Sequence, residues 1–135
     1  MLLELSDIQT TFNAGSPDEM RLFTGFSLAV QEGQFVSVIG SNGSGKTTLL
    51  NLVCGTMRPD AGKIVFDGRD ITGVSAVKRA SWIGRVFQDP KAGTCSHLTI
   101  LENLALADNK GSAYGLGRGV LKSRREHYRA LLSQC

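Results

Sequence analysis

At 135 residues the chain is long enough for one cored domain, and an apolar fraction of 41% with mean hydropathy near zero fits a globular protein whose apolar runs all fall short of a membrane span. A net charge of +3 is mild for a dedicated nucleic-acid binder, and Met1-Leu2-Leu3-Glu4 lacks the basic flank and apolar core of a secretory signal. Three scattered cysteines, Cys54, Cys95 and Cys135, contain no C-x-x-C pair and read as reduced thiols of a cytosolic protein, not as a disulfide or metal framework.

Leu3 and Leu5 alternate with polar neighbours, and Ile8 falls out of phase after Ser6-Asp7, which predicts a bulged strand ending at Thr11-Phe12. Residues 13–19 carry turn chemistry. The strand that follows alternates at Phe26, Leu28 and Val30 and closes at Gln31-Glu32-Gly33, so the opening is antiparallel β. A buried strand is predicted over 35–39, FVSVI, leading directly into GSNGSGKTT.

That stretch, Gly40 to Thr48, matches the phosphate-binding loop pattern, with Gly40, Gly45, Lys46 and Thr47 in the required places. Glycines at 40, 43 and 45 let the backbone take positive φ and approach a polyphosphate, so that the N–H groups of Gly40, Ser41, Asn42, Gly43, Ser44 and Gly45 form an anion nest. The helix beginning near Lys46 adds its unpaired N-terminal donors. Lys46 is placed to bridge the β- and γ-phosphates, Thr47 to ligate Mg²⁺ through its hydroxyl, and Thr48 to offer a hydroxyl to the α-phosphate.

The helix from Lys46 is expected to carry Leu49, Leu50, Leu52 and Val53 towards the sheet and to stop at Gly55. After the turn Pro59–Gly62 come a short strand, 63–66, closed by Asp67-Gly68, a helical piece around 74–80, and a second buried strand, 83–87, running into Gln88-Asp89-Pro90. Cys95 and His97 lie in the next loop and read as surface residues, not as a nucleophile and base. Thr99 and Glu102 have capping-box spacing for a helix through about Asp108. GLGRG, 115–119, is a flexible connector and not a dinucleotide fingerprint, because the sixth position is Val120. The last helix places Leu121, Tyr128, Leu132 and Cys135 on one stripe, with Lys122, Arg124, Arg125 and Arg129 on a solvated basic face.

A phosphate loop alone specifies a nucleoside triphosphate, not its use. Asp70-Ile71-Thr72-Gly73 fits the D-x-x-G of GTPases, yet Asn109-Lys110-Gly111 is followed by Ser112, so the carboxylate that grips guanine is absent. A stand-alone NTPase of another family needs a second acidic site for Mg²⁺. Ile64–Asp67 is one apolar residue short of that pattern and ends in a turn, and Leu104–Asp108 falls in a helix. This reading remains as an alternative that accounts for fewer residues.

The antiparallel opening, the phrase LAVQEGQFVSVIGSNGSGKTTLLNLVCGTMRPDAGKIVFDG, the segment RVFQDP and the following LTILENLALA together resemble the N-terminal half of the ATP-binding subunit of an ABC transporter. The resemblance implies an α/β P-loop core of ABC type, with an antiparallel β subdomain beginning in 1–34, the phosphate-loop core in 35–88, and the Q-loop and start of a helical subdomain in 89–135. It implies that Phe12 stacks on the adenine of ATP and that Gln88 is the Q-loop glutamine, which acts with Lys46 in catalysis and contacts Mg²⁺ and the attacking water. The implied partners are a transmembrane permease subunit, met near the loop after Gln88, and a second ATP-binding subunit in a dimer. The implied place is cytoplasmic, peripheral on the inner face of the plasma membrane, in an importer of a small solute. The 135 residues hold no LSGGQ-type signature, Walker B segment, D-loop or switch His, so this chain by itself is expected to bind nucleotide without hydrolysing it. A truncated, non-catalytic nucleotide-binding fragment is the alternative of a different class.

Overall fold

The phase slip at Ser6-Asp7 is a real bulge. In the computed structural model, which describes residues 1–110, 120 and 122–134, strand β1 (Leu3–Phe12) pairs Leu5 with Leu28 and then Ile8 with Phe26 of strand β2 (Met20–Val30), and Asp7 takes a φ of 51°. The extra residue lets Leu5, Ile8 and Thr10 all turn inward and become buried. On its other edge β1 pairs antiparallel with β3 (Ala61–Phe66), and β3 turns at Asp67-Gly68 into β4 (Arg69–Asp70). Asp67 and Gly68 both have positive φ, 48° and 72°, the twist a two-residue hairpin requires. The sheet order is β2-β1-β3-β4.

Helix α1 (Lys46–Cys54) begins after Gly45 and ends at Gly55, whose left-handed backbone lets its N–H reach the Leu52 carbonyl at 3.3 Å, as the sequence predicts. Leu49 and Leu52 are buried. Leu50 is 52% exposed, against the expectation that it faces the sheet. Ile64 and Ile71 complete this core, and the four-residue helix α2 (Ala76–Arg79) brings a fully buried arginine to it.

The two predicted buried strands do not form. Residues 35–39 and 83–87 belong to no β ladder, and Phe35, Ile39 and Val86 are more than nine-tenths exposed. A strand needs a neighbour to satisfy its backbone donors and acceptors, and neither segment joins the sheet of the described residues.

The chain divides into two compact units, Met1–Arg79 and Ala80–Cys135, where length alone suggested one domain. In the second unit Asp89 caps the short 3₁₀ turn Pro90–Ala92, accepting from the Lys91 N–H at 2.9 Å. Helix α3 (Ile100–Asp108) opens with the predicted capping box: the Thr99 hydroxyl accepts from the Glu102 N–H, and the Glu102 carboxylate accepts from the Thr99 N–H at 2.8 Å. Helix α4 (Lys122–Leu132) meets α3 at Asp108, whose carboxylate accepts from the buried Tyr128 hydroxyl at 2.7 Å and pairs with Arg124. Leu132, expected on the buried stripe with Tyr128, is 41% exposed. Leu121, Cys135, the connector 115–119 and the Gly111-Ser112 pair lie outside the described residues. Among the described residues, no helix is long and apolar enough to cross a membrane.

Candidate functional site

The loop Gly40–Gly45 closes on itself and holds Lys46 at its mouth. Lys46 Nζ donates to the carbonyls of Gly40 at 2.8 Å and Ser41 at 2.6 Å, with Ser44 Oγ at 3.5 Å, while the Ser44 N–H reaches the Ser41 carbonyl at 3.3 Å. A half-buried ammonium is thus spread across the ring by the loop's own oxygens. Among the described residues no carboxylate forms a salt bridge with it, so its charge stays available to an anion.

The two glycines that bound the ring differ. Gly45 takes a left-handed φ of 90°, and a Cβ there would come within 3.0 Å of the Leu22 and Phe23 side chains, so β2 backs the loop closely. Gly40 does not take the positive φ expected of it; a Cβ there would sit 2.5 Å from Ser44 Oγ, a hydroxyl that can rotate away. Helix α1 starts with no side-chain cap and no acidic residue in its first turn, so the donors at its N-terminus are not occupied by the protein's own groups. Ser41, Asn42, Gly43, Ser44 and Thr47 are exposed and Thr48 is half-buried. A cation at the mouth of the loop and a helix N-terminus without a side-chain cap suit a polyphosphate.

Phe12 stands half-buried at the end of β1, opposite Met20. That strand end is clamped by Asp60, whose carboxylate accepts from the Thr11 N–H at 2.6 Å and whose own N–H donates to the Gln9 carbonyl at 2.9 Å. Sequence reading missed this clamp, since Asp60 looks like any turn residue after Pro59. Gln88 belongs to the second unit, exposed, just before Asp89-Pro90; beside it Arg85 lies over the Phe87 ring at 4.7 Å.

The acidic decoys all have structural roles. Asp67 makes the β3–β4 turn, and Asp108 joins α3 to α4. Asp70 accepts from the Thr72 hydroxyl at 2.7 Å and the Thr72 N–H at 2.9 Å, which together hold its carboxyl below the usual range, helped by Lys63. Its D-x-x-G is a local turn.

In the loop after Gln88, Cys95 and His97 are both exposed. A groove of about 460 Å³ runs there, lined by Thr94, Cys95, Leu98, Asn103 and Leu104 among others. Asn103, which the sequence did not single out, organises it: its side-chain amide donates to the carbonyls of Cys95, Leu98 and Thr99 and accepts from the Cys95 N–H at 2.8 Å.

The family model described as ABC transporter matches residues 23–134. A tyrosine transport ATP-binding protein of Clostridioides difficile (strain R20291) is 40% identical over 115 residues, covering 85% of this chain and 46% of that protein. The cytochrome c biogenesis ATP-binding export protein CcmA of Shigella flexneri is 41% identical over 98 residues, covering 71% of this chain and 45% of that protein. Among solved structures, a dimeric ATP-binding cassette in a post-hydrolysis state bound to ADP and Pi superposes with a TM-score of 0.77 at 27% identity, over 98% of this chain and 56% of that one. The chain spans about half the length of the curated relatives cited.

Proposed function

The chain belongs to the ABC transporter family of ATP-binding proteins, and from that premise we propose that it is the ATP-holding part of a subunit that couples MgATP to solute transport through a membrane partner. The carrying observation is the loop closed around Lys46, a cation that no carboxylate among the described residues pairs with, and the uncapped start of α1. In this reading Gly40–Thr48 cradle the triphosphate, Lys46 neutralises charge on the β- and γ-phosphates, and Phe12 offers a flat face to adenine. The Thr47 hydroxyl and, in the assembled site, Gln88 would hold Mg²⁺, which would supply charge neutralisation to the triphosphate. The chain's own contribution is binding and orientation.

We assign 1–34 to the start of the antiparallel β subdomain, 35–88 to the phosphate-loop core and 89–135 to the Q-loop and helical subdomain. The groove tied by Asn103 is the proposed seat of a permease segment at the cytoplasmic face of the membrane, and a second ATP-binding subunit is the proposed partner across the nucleotide. Import of a small solute is the favoured direction, supported by a 38% identical spermidine/putrescine import ATP-binding protein of Haemophilus influenzae (strain 86-028NP) that matches 77% of this chain; the likeness to an exporter over 71% makes efflux the alternative. ATP-dependent efflux from proteoliposomes holding the natural subunit and its permease would overturn import.

The binding claim is tested by titrating the chain with MgATP. Lys46→Ala is expected to weaken binding by about tenfold or more, the effect of losing one charged contact to phosphate. Equal affinity of the two proteins would sink the reading. The same samples test catalytic incompetence of these residues alone, since the 135 residues hold no Walker B segment whose carboxylates would activate water or hold the metal's far side; turnover abolished by Lys46→Ala would contradict it.

A further inference from the structure

Arg79 is the only charged side chain among the described residues that is buried, and all five of its N–H donors are used. Nε donates to the Val74 carbonyl at 3.0 Å. Nη1 donates to Leu52 at 2.7 Å and Val53 at 2.9 Å, and Nη2 to Ile71 at 2.5 Å and Thr72 at 3.1 Å. Every acceptor is a backbone carbonyl, and among the described residues no carboxylate pairs with the group. Burial pushes its pKa below the ordinary guanidinium range; Cys54 opposes that shift and Arg58 adds to it. A guanidinium nevertheless stays charged at any working pH.

Two of those carbonyls belong to the last turn of α1. That helix has no basic residue in its own last turn, so the cation that complements its C-terminal dipole comes from Arg79. Nine residues are too few for a helix to be stable alone in water, and α1 buries only Leu49 and Leu52. Its position therefore depends on what grips its ends. The space for the grip is made by Gly55: a Cβ there would lie 2.7 Å from Arg79 Nε and 3.0 Å from Cζ, on a backbone of φ 77°. The other three carbonyls lie in the 71–74 turn, which Arg58 also holds through the Gly73 carbonyl at 3.1 Å.

We propose that Arg79 is a positioning residue for the phosphate loop: it fixes α1 from the C-terminal end, so that Lys46 and the helix's first-turn amides, about 10 Å away along the axis, meet the phosphates in a set place. The inference rests on the reading of Gly40–Thr48 as a nucleotide site.

The test compares the full chain with its Lys46→Ala, Arg79→Lys, Arg79→Met and Gly55→Ala variants. MgATP affinity is measured by titration calorimetry on the folded fraction, and amide exchange is followed in 46–54 and 3–12. A lysine keeps the charge but has three donors on one nitrogen, so it cannot span five carbonyls. Arg79→Lys and Gly55→Ala are expected to stay folded, to bind MgATP about tenfold more weakly, and to exchange faster in 46–54 but not in 3–12. Arg79→Met is expected to go further in both readouts. Wild-type affinity and wild-type protection of 46–54 in folded Arg79→Lys would overturn the proposal even if the melting point fell. Failure of all three variants to fold would overturn it too, by making Arg79 a folding residue only. If Lys46→Ala binds MgATP as the parent does, it is the nucleotide reading that fails, and the exchange data still report separately on the grip.

Discussion

Lys46 and Thr10 show how differently a polar group fares at two places in one unit. Lys46 is surrounded by the carbonyls that its own loop presents, and every one of its partners lies within six residues. Such a site is legible in sequence because its residues are contiguous and its geometry is local. Thr10 is fully buried on β1, and its hydroxyl has no partner among the described residues. A buried hydroxyl without a bond loses its hydration for nothing, at a cost of about 1–3 kcal/mol. Thr10→Val, which keeps the shape and suits a strand, is therefore expected to raise the denaturation midpoint by the equivalent of about 1 kcal/mol. A lower midpoint in urea would mean that the hydroxyl has found a partner. Arg79 and Asp60 were not legible: their acceptors or donors lie up to 27 and 51 residues away, and nothing local marks either residue as more than a surface charge.

At the scale of elements, what could be read was whatever carries its own end signals. Helix α3 announces itself by Thr99 and Glu102, and α1 by Lys46-Thr47 and Gly55. The α3 cap also sets a pH dependence. The Thr99 hydroxyl, and next the Thr99 N–H, hold the Glu102 carboxyl below its ordinary range; Asp108 is held down first by the Tyr128 hydroxyl and next by Arg124. A depressed folded-state pKa adds stability above the unfolded value, about 4 for these side chains, and that stability is lost as pH falls through the lower folded value. Helicity is accordingly expected to hold from neutral pH to about 5 and to decline below about 4. Glu102→Gln, which preserves the reciprocal cap without the titration, is expected to flatten part of that decline in an acid titration followed by circular dichroism. An unchanged acid limb would remove Glu102 from the cause. The strands predicted at 35–39 and 83–87 had the right composition and no ladder, because composition supplies the apolar face and only a neighbour supplies the hydrogen bonds.

For the whole molecule, the consequence of those unladdered segments is exposed apolar surface: Phe35 at 92%, Ile39 at 93% and Val86 at 98% exposure. Large apolar side chains beside unpaired backbone favour association with other chains. The isolated 135-residue chain is expected to melt broadly and to lose monomer as concentration rises; a sharp two-state melt of a monomer, independent of concentration, would contradict this. Sequence by itself determined the family and marked Gly40–Thr48 as the candidate phosphate-binding stretch, because a loop of consecutive residues and the signals at helix ends are local in the chain. Tertiary structure alone decided which apolar runs became core, why Gly45 must be glycine, and what grips α1 from behind. Those depend on groups far apart in sequence: the pairing of β1 with β2 and β3, the approach of β2 to Gly45, and an arginine whose five donors all end on backbone carbonyls.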